Sequence, residues 1–281
     1  SGALNLSLFN EVLESTTLKN VRVNIYNGGQ LTIDLASLSN SVEINIAGLA
    51  ITNEGIITNS EVVAFYSSES AVGDTVGGVD MYVKACTEHS QPLGFNVSFI
   101  RGANTEDKVF ITEGSTWVPS IAGFVLNNNG SITNSRVGGT SIVVLGDEKE
   151  ITEDGRQVPS GYTYASTLEL EVFNIIGQGD MSGFVLSNSG SISASFVKQL
   201  DMTNQSNTTS FDTSGFAGLN SGSIITSYVE GKETSSELID EMNYTVYAFE
   251  GSSLKSNLGC IAGFINTNTG IIQDSYSNIL I

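Results

Sequence analysis

Apolar and polar positions alternate with a period of two along much of this chain. Val21, Val23 and Ile25 alternate with Arg22 and Asn24. After a break at Asn27-Gly28-Gly29, Leu31, Ile33 and Leu35 alternate with polar residues again. A period of two marks strands with one buried face, so residues 18–46 are expected to form one or two rungs of sheet. Residues 6–18 differ: the apolar positions are Leu6, Leu8, Phe9, Leu13 and Leu18. That spacing predicts a short helix or an irregular cap within residues 1–17, which would shield an open sheet end from edge pairing.

Beyond residue 46 the pattern becomes a repeat. Five segments align without gaps: residues 48–60, 123–135, 183–195, 215–227 and 263–275. The shared frame is G-[LF]-x-x-x-N-x-G-x-I-x-x-S. Its first glycines (Gly48, Gly123, Gly183, Gly215 and Gly263) stand 75, 60, 32 and 48 positions apart. A fixed motif with variable spacing is the signature of a solenoid whose rungs carry insertions on one face.

Each position has a physical reading. The residue after the first glycine (Leu49, Phe124, Phe184, Phe216 or Phe264) points into a core, and that glycine admits a neighbouring backbone or opens a bend. The pairs Asn53/Gly55, Asn128/Gly130, Asn188/Gly190, Asn220/Gly222 and Asn268/Gly270 are turn chemistry, with glycine expected to supply positive φ. Ile57, Ile132, Ile192, Ile224 and Ile272 begin the next strand facing inward. Ser60, Ser135, Ser195, Ser227 and Ser275 bend the chain or stack on the serine of the next rung. Each motif therefore reads as strand, tight turn, strand. A two-residue hairpin favours adjacent Asn-Gly, whereas here Asn and Gly are always two apart. The fold class expected is all-β, an irregular parallel β-helix with insertions between five motifs; an antiparallel sandwich or barrel is the alternative. The solenoid would span 18–281, with insertions at about 64–120, 138–180, 198–212 and 231–259. Residues 200–209 are expected to be a surface loop. Rungs of about 25–30 residues would number about ten, making a rod of roughly 50 Å at the inter-strand spacing of ~4.8 Å.

The frame resembles the GLUG repeat, close to G-L-[V/F]-G-x-N-x-G-x-I-x-N-S-Y-A-x-G. Residues 215–231, from Gly215-Phe216-Ala217-Gly218 to Ser227-Tyr228-Val229-Glu230-Gly231, fit it best. The other copies lack the fourth-place glycine and carry Ile51, Leu126, Leu186 and Asn266 there. The resemblance covers roughly a quarter to a third of the chain. It implies a β-solenoid from a bacterial surface or secreted protein, such as an adhesin or the non-catalytic region of an IgA-cleaving metallopeptidase. It brings no catalytic residues with it.

Composition narrows the function. With 30 Asp and Glu against 11 Lys and Arg, the net charge is −19. Phosphate neutralisation needs clustered cations, so nucleic-acid binding is disfavoured, as is attraction to an anionic membrane. One His (His89) and two Cys (Cys86 and Cys260) leave no His-rich or Cys-cluster zinc site. No apolar run reaches 18 residues. The chain opens Ser1-Gly2 with no signal-like n- or h-region, so it reads as a mature or excised segment.

The remaining chemistry is thin. Cys86 and His89 lack the orienting partner a thiol nucleophile needs. Cys86 and Cys260 are a candidate disulfide or two buried free thiols. The acidic run at residues 147–154 lacks the graded oxygen spacing of a calcium loop and reads as solvated. Acids avoid the motif strands, and no pair recurs at the fixed spacing that a glycan-cleaving β-helix would use. No nucleophile elbow or P-loop occurs. Six N-x-[S/T] sequons, at Asn5, Asn96, Asn129, Asn204, Asn207 and Asn243, are about what this composition produces by chance. The expectation is a non-enzymatic extracellular structural or adhesive module, a rigid repeat rod within a larger surface protein or filament. It needs no cofactor. Its partners would be surface proteins, glycans or further copies of itself. A carbohydrate-binding or carbohydrate-cleaving β-helix and an accessory region of a secreted peptidase are the alternatives.

Overall fold

The computed structural model describes residues 2–26, 29–35, 42–65, 94–100, 117–139, 173–230 and 253–279, with Ile111 and several short strands in the longer insertions. The chain is a stack of parallel strands wound as a five-faced β-helix. The barest complete rung shows the plan. Asp180–Ser182 lies on the first face, Val185–Asn188 on the second and Ser191–Ser193 on the third. Phe196–Lys198 forms the fourth and Leu200–Asn204 the fifth. The first four faces each hold six strands and the fifth holds five, so the stack has six rungs. Neighbouring copies pair in parallel and in register, with Asn128 on both Asn53 and Asn188, and Ile132 on both Ile57 and Ile192.

Six rungs replace the ten expected from the sequence. The motif covers only the second and third faces, so a bare rung takes about 32 residues (Met181 to its partner Thr213), and insertions take up much of the remaining chain. At ~4.8 Å per strand, six rungs stack to roughly 25 Å.

The N-terminal segment also departs from expectation. Gly2–Leu6, Phe9–Val12 and Thr17–Lys19 are strands, and no α-helix occurs among the described residues. They supply the first three faces of rung one, a sixth and degenerate copy of the motif. Val12 pairs with Asn53 and Leu18 with Ile57, so apolar residues stand where later copies have Asn and Ile. Arg22–Tyr26 and Gly29–Asp34 complete that rung, and Val42–Ala47 opens the second.

Part of each expected insertion is rung. Gly94–Ile100, Phe173–Gly177, Leu200–Asn204 and Ser253–Ser256 are stacked strands of the fifth face. The surface loop expected at residues 200–209 begins with one of these strands, and Leu200 and Met202 are core residues. True insertions leave mainly between the fourth and fifth faces. They contain antiparallel hairpins, Asp74–Val76 with Val79–Met81 and Ser141–Leu145 with Ala165–Leu170. In the fourth rung this crossing is one residue, Gln199, with φ of 52°.

The core is a set of columns running up the axis. Phe124, Phe184, Phe216 and Phe264 stack with ring centroids 4.7, 4.8 and 5.0 Å apart, on a base of Leu49. Beside them run Ile57, Ile132, Ile192 and Ile224, then Val62, Val137, Val197 and Val229, all without solvent exposure. Ile272, on the last rung, is 40% exposed.

Candidate functional site

The five predicted motif asparagines form one ladder, buried at Asn53, Asn128, Asn188 and Asn220 and open to solvent at Asn268. Each side-chain Nδ2 donates to the Oδ1 of the next rung at 2.7 Å, running Asn53, Asn128, Asn188, Asn220, Asn268. A neutral amide is suited to this place because it both donates and accepts, so the column is self-satisfying at any height. Asn53 ends the ladder by accepting from the Gly55 N–H, above the apolar Val12.

The serines form a second ladder. The backbone N–H of Ser60, Ser135, Ser195 and Ser227 donates to the next serine Oγ at 3.1–3.3 Å. Each hydroxyl in turn donates to the carbonyl two residues before it. The bend itself sits one residue earlier, where Asn59, Asn134, Ala194, Thr226 and Asp274 hold φ of 47–50°.

The glycines of the Asn-x-Gly pairs correct the expectation. Gly55, Gly130, Gly190, Gly222 and Gly270 do not adopt positive φ. They are needed instead because the rungs stack too closely for a side chain. A Cβ on Gly222 would lie 2.0 Å from the carbonyl oxygen of Gly190, and one on Gly270 would lie 2.1 Å from that of Gly222. Each corner glycine thus sits directly on the backbone of the one below it. The first glycines of the motif obey the same constraint: a Cβ on Gly123 would lie 2.1 Å from the carbonyl oxygen of Gly183. All the motif residues are thus structural, and they assemble into columns rather than a pocket.

The outer faces carry three further columns that the frame does not include. On the fourth face, Arg22, Glu61, Arg136, Phe196, Tyr228 and Tyr276 stand in register. Glu61 bridges Arg22 at 3.2 Å and Arg136 at 2.6 Å. The rings stack face to face, 5.1 and 5.0 Å apart and within 4° of parallel. Lys198 lies 5.6 Å from two of these rings and pairs with Glu230. Burial, the largest single influence, would lower the Lys198 pKa, but the Glu230 carboxylate together with Tyr228 and Tyr276 outweighs it and the pKa is raised. The aromatic residue directly after the motif serine was legible in three of the five copies.

On the first face, Asp180 and Asp212 occupy equivalent places on successive rungs. This acid pair was not visible as a recurring spacing. Both carboxylates already serve the backbone. Asp180 accepts from the Asp212 N–H at 3.0 Å; Asp212 accepts from the Cys260 N–H and from Asn266 Nδ2. Burial, the largest influence, raises the pKa of Asp180 above 3.8, and the Asp212 charge raises it further against that backbone bond. A raised native pKa means the fold disfavours the ionised form, so stability falls as pH rises through the native value. Asp180→Asn keeps the acceptor and removes the charge. It is expected to raise the melting temperature by about 2 °C at pH 7, with the gain gone below pH 3.8. Thermal melts at both pH values check this; equal gains at both would refute it.

Cys260 is exposed with a free thiol. Cys86, His89 and most of the acidic run at 147–154 lie outside the described residues. Among the described residues no three His, Cys, Asp or Glu side chains converge as a metal site would require, and no helix is long and apolar enough to cross a membrane. The third column is amide-rich. The residues directly after the paired Gly177, Asn204 and Ser256 are Gln178, Gln205 and Asn257, at the exit of the fifth face. With Ser98, Thr203 and Asn207 they line a groove of about 330 Å³. Comparison of the chain with protein-family models, curated proteins and solved structures returned no match.

Proposed function

We propose that this chain is a non-enzymatic, extracellular presenting rod: a rigid repeat module of a larger adhesive or structural surface protein. One observation carries the reading. Every motif residue is consumed in axial ladders or core columns, while chain length varies at the two borders of the fifth face, most between the fourth and fifth faces and less between the fifth and the first. The single-residue crossing at Gln199 closes a rung by itself, so the longer excursions of other rungs are not required for folding. Excess chain at a constant edge of a solenoid is where repeat proteins place binding loops. The resemblance of the frame to GLUG repeats supports a surface location, and the low content of Lys and Arg speaks against nucleic-acid partners.

The acid pair Asp180 and Asp212 favours a second reading, a glycan-cleaving β-helix. Their engagement with backbone amides argues against it, since a general acid must be free to meet substrate.

The test uses beads coated with the protein on epithelial monolayers and immobilised glycoproteins. Replacing residues 66–93 and 139–172 by single-residue crossings is expected to leave the far-ultraviolet circular dichroism strand signal intact and cut adhesion at least tenfold. Absence of adhesion by the intact protein, or adhesion indifferent to trimming, would overturn the reading. Release of reducing ends from a polysaccharide panel, lost in Asp180→Asn, would establish the second reading instead.

A further inference from the structure

We infer that the groove at the exit of the fifth face binds an extended neutral oligosaccharide along the solenoid axis. The inference rests on the presenting-rod reading and names a ligand class for it.

Three features of the groove point to this chemistry. First, the polar lining among the described residues is uncharged: the hydroxyls of Ser98 and Thr203 and the amides of Gln178, Gln205, Asn207 and Asn257, beside the apolar Val97 and Phe99. In a protein of net charge −19, a patch with no carboxylate among its described lining residues favours a neutral ligand. Second, each carboxamide offers a donor and an acceptor side by side, the complement of two vicinal sugar hydroxyls, each of which also donates and accepts. Gln205, Asn207 and Asn257 make no side-chain hydrogen bond among the described residues, so these groups are available. Gln178 is instead anchored: it is 5% exposed and its Oε1 accepts from the Ile111 N–H at 2.9 Å, which fixes the groove wall. Third, the two open amides of the fifth-face exit recur by rung. Gln205 and Asn257 follow residues that pair directly on successive strands, so they repeat at the strand spacing of ~4.8 Å, with Gln178 holding the wall one strand further on. That is close to the rise of one pyranose unit in an extended glycan, so successive sugars meet successive amides.

The stacked aromatic column on the fourth face does not offer the same service. Sugars bind aromatic rings on an open face, and the faces of Phe196 and Tyr228 cover one another along the axis.

The experiment is titration calorimetry of the full chain with mannohexaose, cellohexaose, maltohexaose and xylohexaose. Hexagalacturonate and a Ser/Asn-rich peptide serve as comparators. Saturable one-site binding of at least one neutral hexaose is expected, at least tenfold tighter than its monosaccharide, because the two open amides repeat with the rungs. The double variant Gln205→Ala, Asn257→Ala is expected to weaken it at least tenfold. These are surface positions, and circular dichroism confirms the fold. Lys255→Ala, two residues before Asn257, is expected to leave binding within twofold. No saturation by any neutral hexaose, unchanged affinity in the double variant, or preference for hexagalacturonate or the peptide would each overturn the inference. The bead adhesion assay is independent of these titrations: adhesion with no hexaose binding sinks the groove and leaves the rod, and hexaose binding with no adhesion does the reverse.

Discussion

Phe184→Ala is expected to remove about 4 kcal/mol of stability, within the range for deleting a fully buried ring. That corresponds to a fall of roughly 10 °C in melting temperature. Phe184 has no solvent exposure and stacks on Phe124 at 4.7 Å and on Phe216 at 4.8 Å. Removing it opens a gap in mid-column. The flanking backbones cannot close it, because the Phe184 N–H and carbonyl are bonded to the rungs on either side. Two ring contacts are lost in addition to the transfer energy of the side chain. Position along the stack then sets a gradient. Phe264 stands on the last rung, packs on one ring only and is partly exposed. Phe264→Ala should therefore cost less than half as much. Chemical denaturation followed by circular dichroism measures both. A Phe184→Ala variant within about 1 kcal/mol of the parent, or a Phe264→Ala variant equally damaged, would contradict the column as the source of cohesion.

The parallel β-helix was legible because a ladder imposes identity. Asn53, Asn128, Asn188, Asn220 and Asn268 must donate and accept at the same height, and no apolar residue or single-function polar residue can stand in mid-column. The same logic explains what stayed hidden. Rung one lies at the end of the ladder, where Asn53 finds its acceptor role filled by Gly55, so Val12 suffices and the motif disappears from the sequence. Leu18 and Val21 likewise stand in for Ile and Ser, and Val21 merely donates its N–H to the Ser60 Oγ. With those substitutions, apolar spacing over residues 6–18 imitates a helix. The fifth face was hidden for a different reason. Its inward positions (Val97, Phe99, Phe173, Ile175, Leu200, Met202, Leu254) need only be apolar. Packing accepts many side chains where a hydrogen-bond ladder accepts one, so no shared frame survives. The rung count failed with it.

The outer-face columns show the same division. The aromatic column could be read from Phe196, Tyr228 and Tyr276, each directly after a motif serine. The amides Gln178, Gln205 and Asn257 follow strands with no common motif and sit at irregular sequence spacing. Only the strand register brings them together. Geometry that depends on pairing across insertions of different length is invisible to any fixed-spacing search.

Sequence patterning correctly marks the corner glycines Gly55, Gly130, Gly190, Gly222 and Gly270 but suggests the wrong reason for them, and the reason determines the mutant. If Gly190 served positive φ, Asn would replace it at little cost. Its role is instead contact: a Cβ there would lie 2.0 Å from the Gly130 carbonyl oxygen and 2.7 Å from the carbonyl carbon and oxygen of Asn129. All three atoms are backbone. They cannot yield without breaking the bonds that stack the corner, from the Ser189 and Gly190 N–H groups to the Asn128 carbonyl and from the Ser191 N–H to the Gly130 carbonyl. Gly190→Ala is therefore expected to cost about 3 kcal/mol or more, and Gly190→Asn no less. Gly218→Ala meets the Leu186 carbonyl oxygen at 2.7 Å and a movable Leu186 methyl at 3.0 Å, and should cost less. The other copies carry a side chain at that place already. Gly2→Ala meets nothing within 4 Å and should be silent. Thermal melts of the four variants order the series. If Gly190→Asn melted with the parent, the close-approach account of the corner would be wrong and the positive-φ account restored.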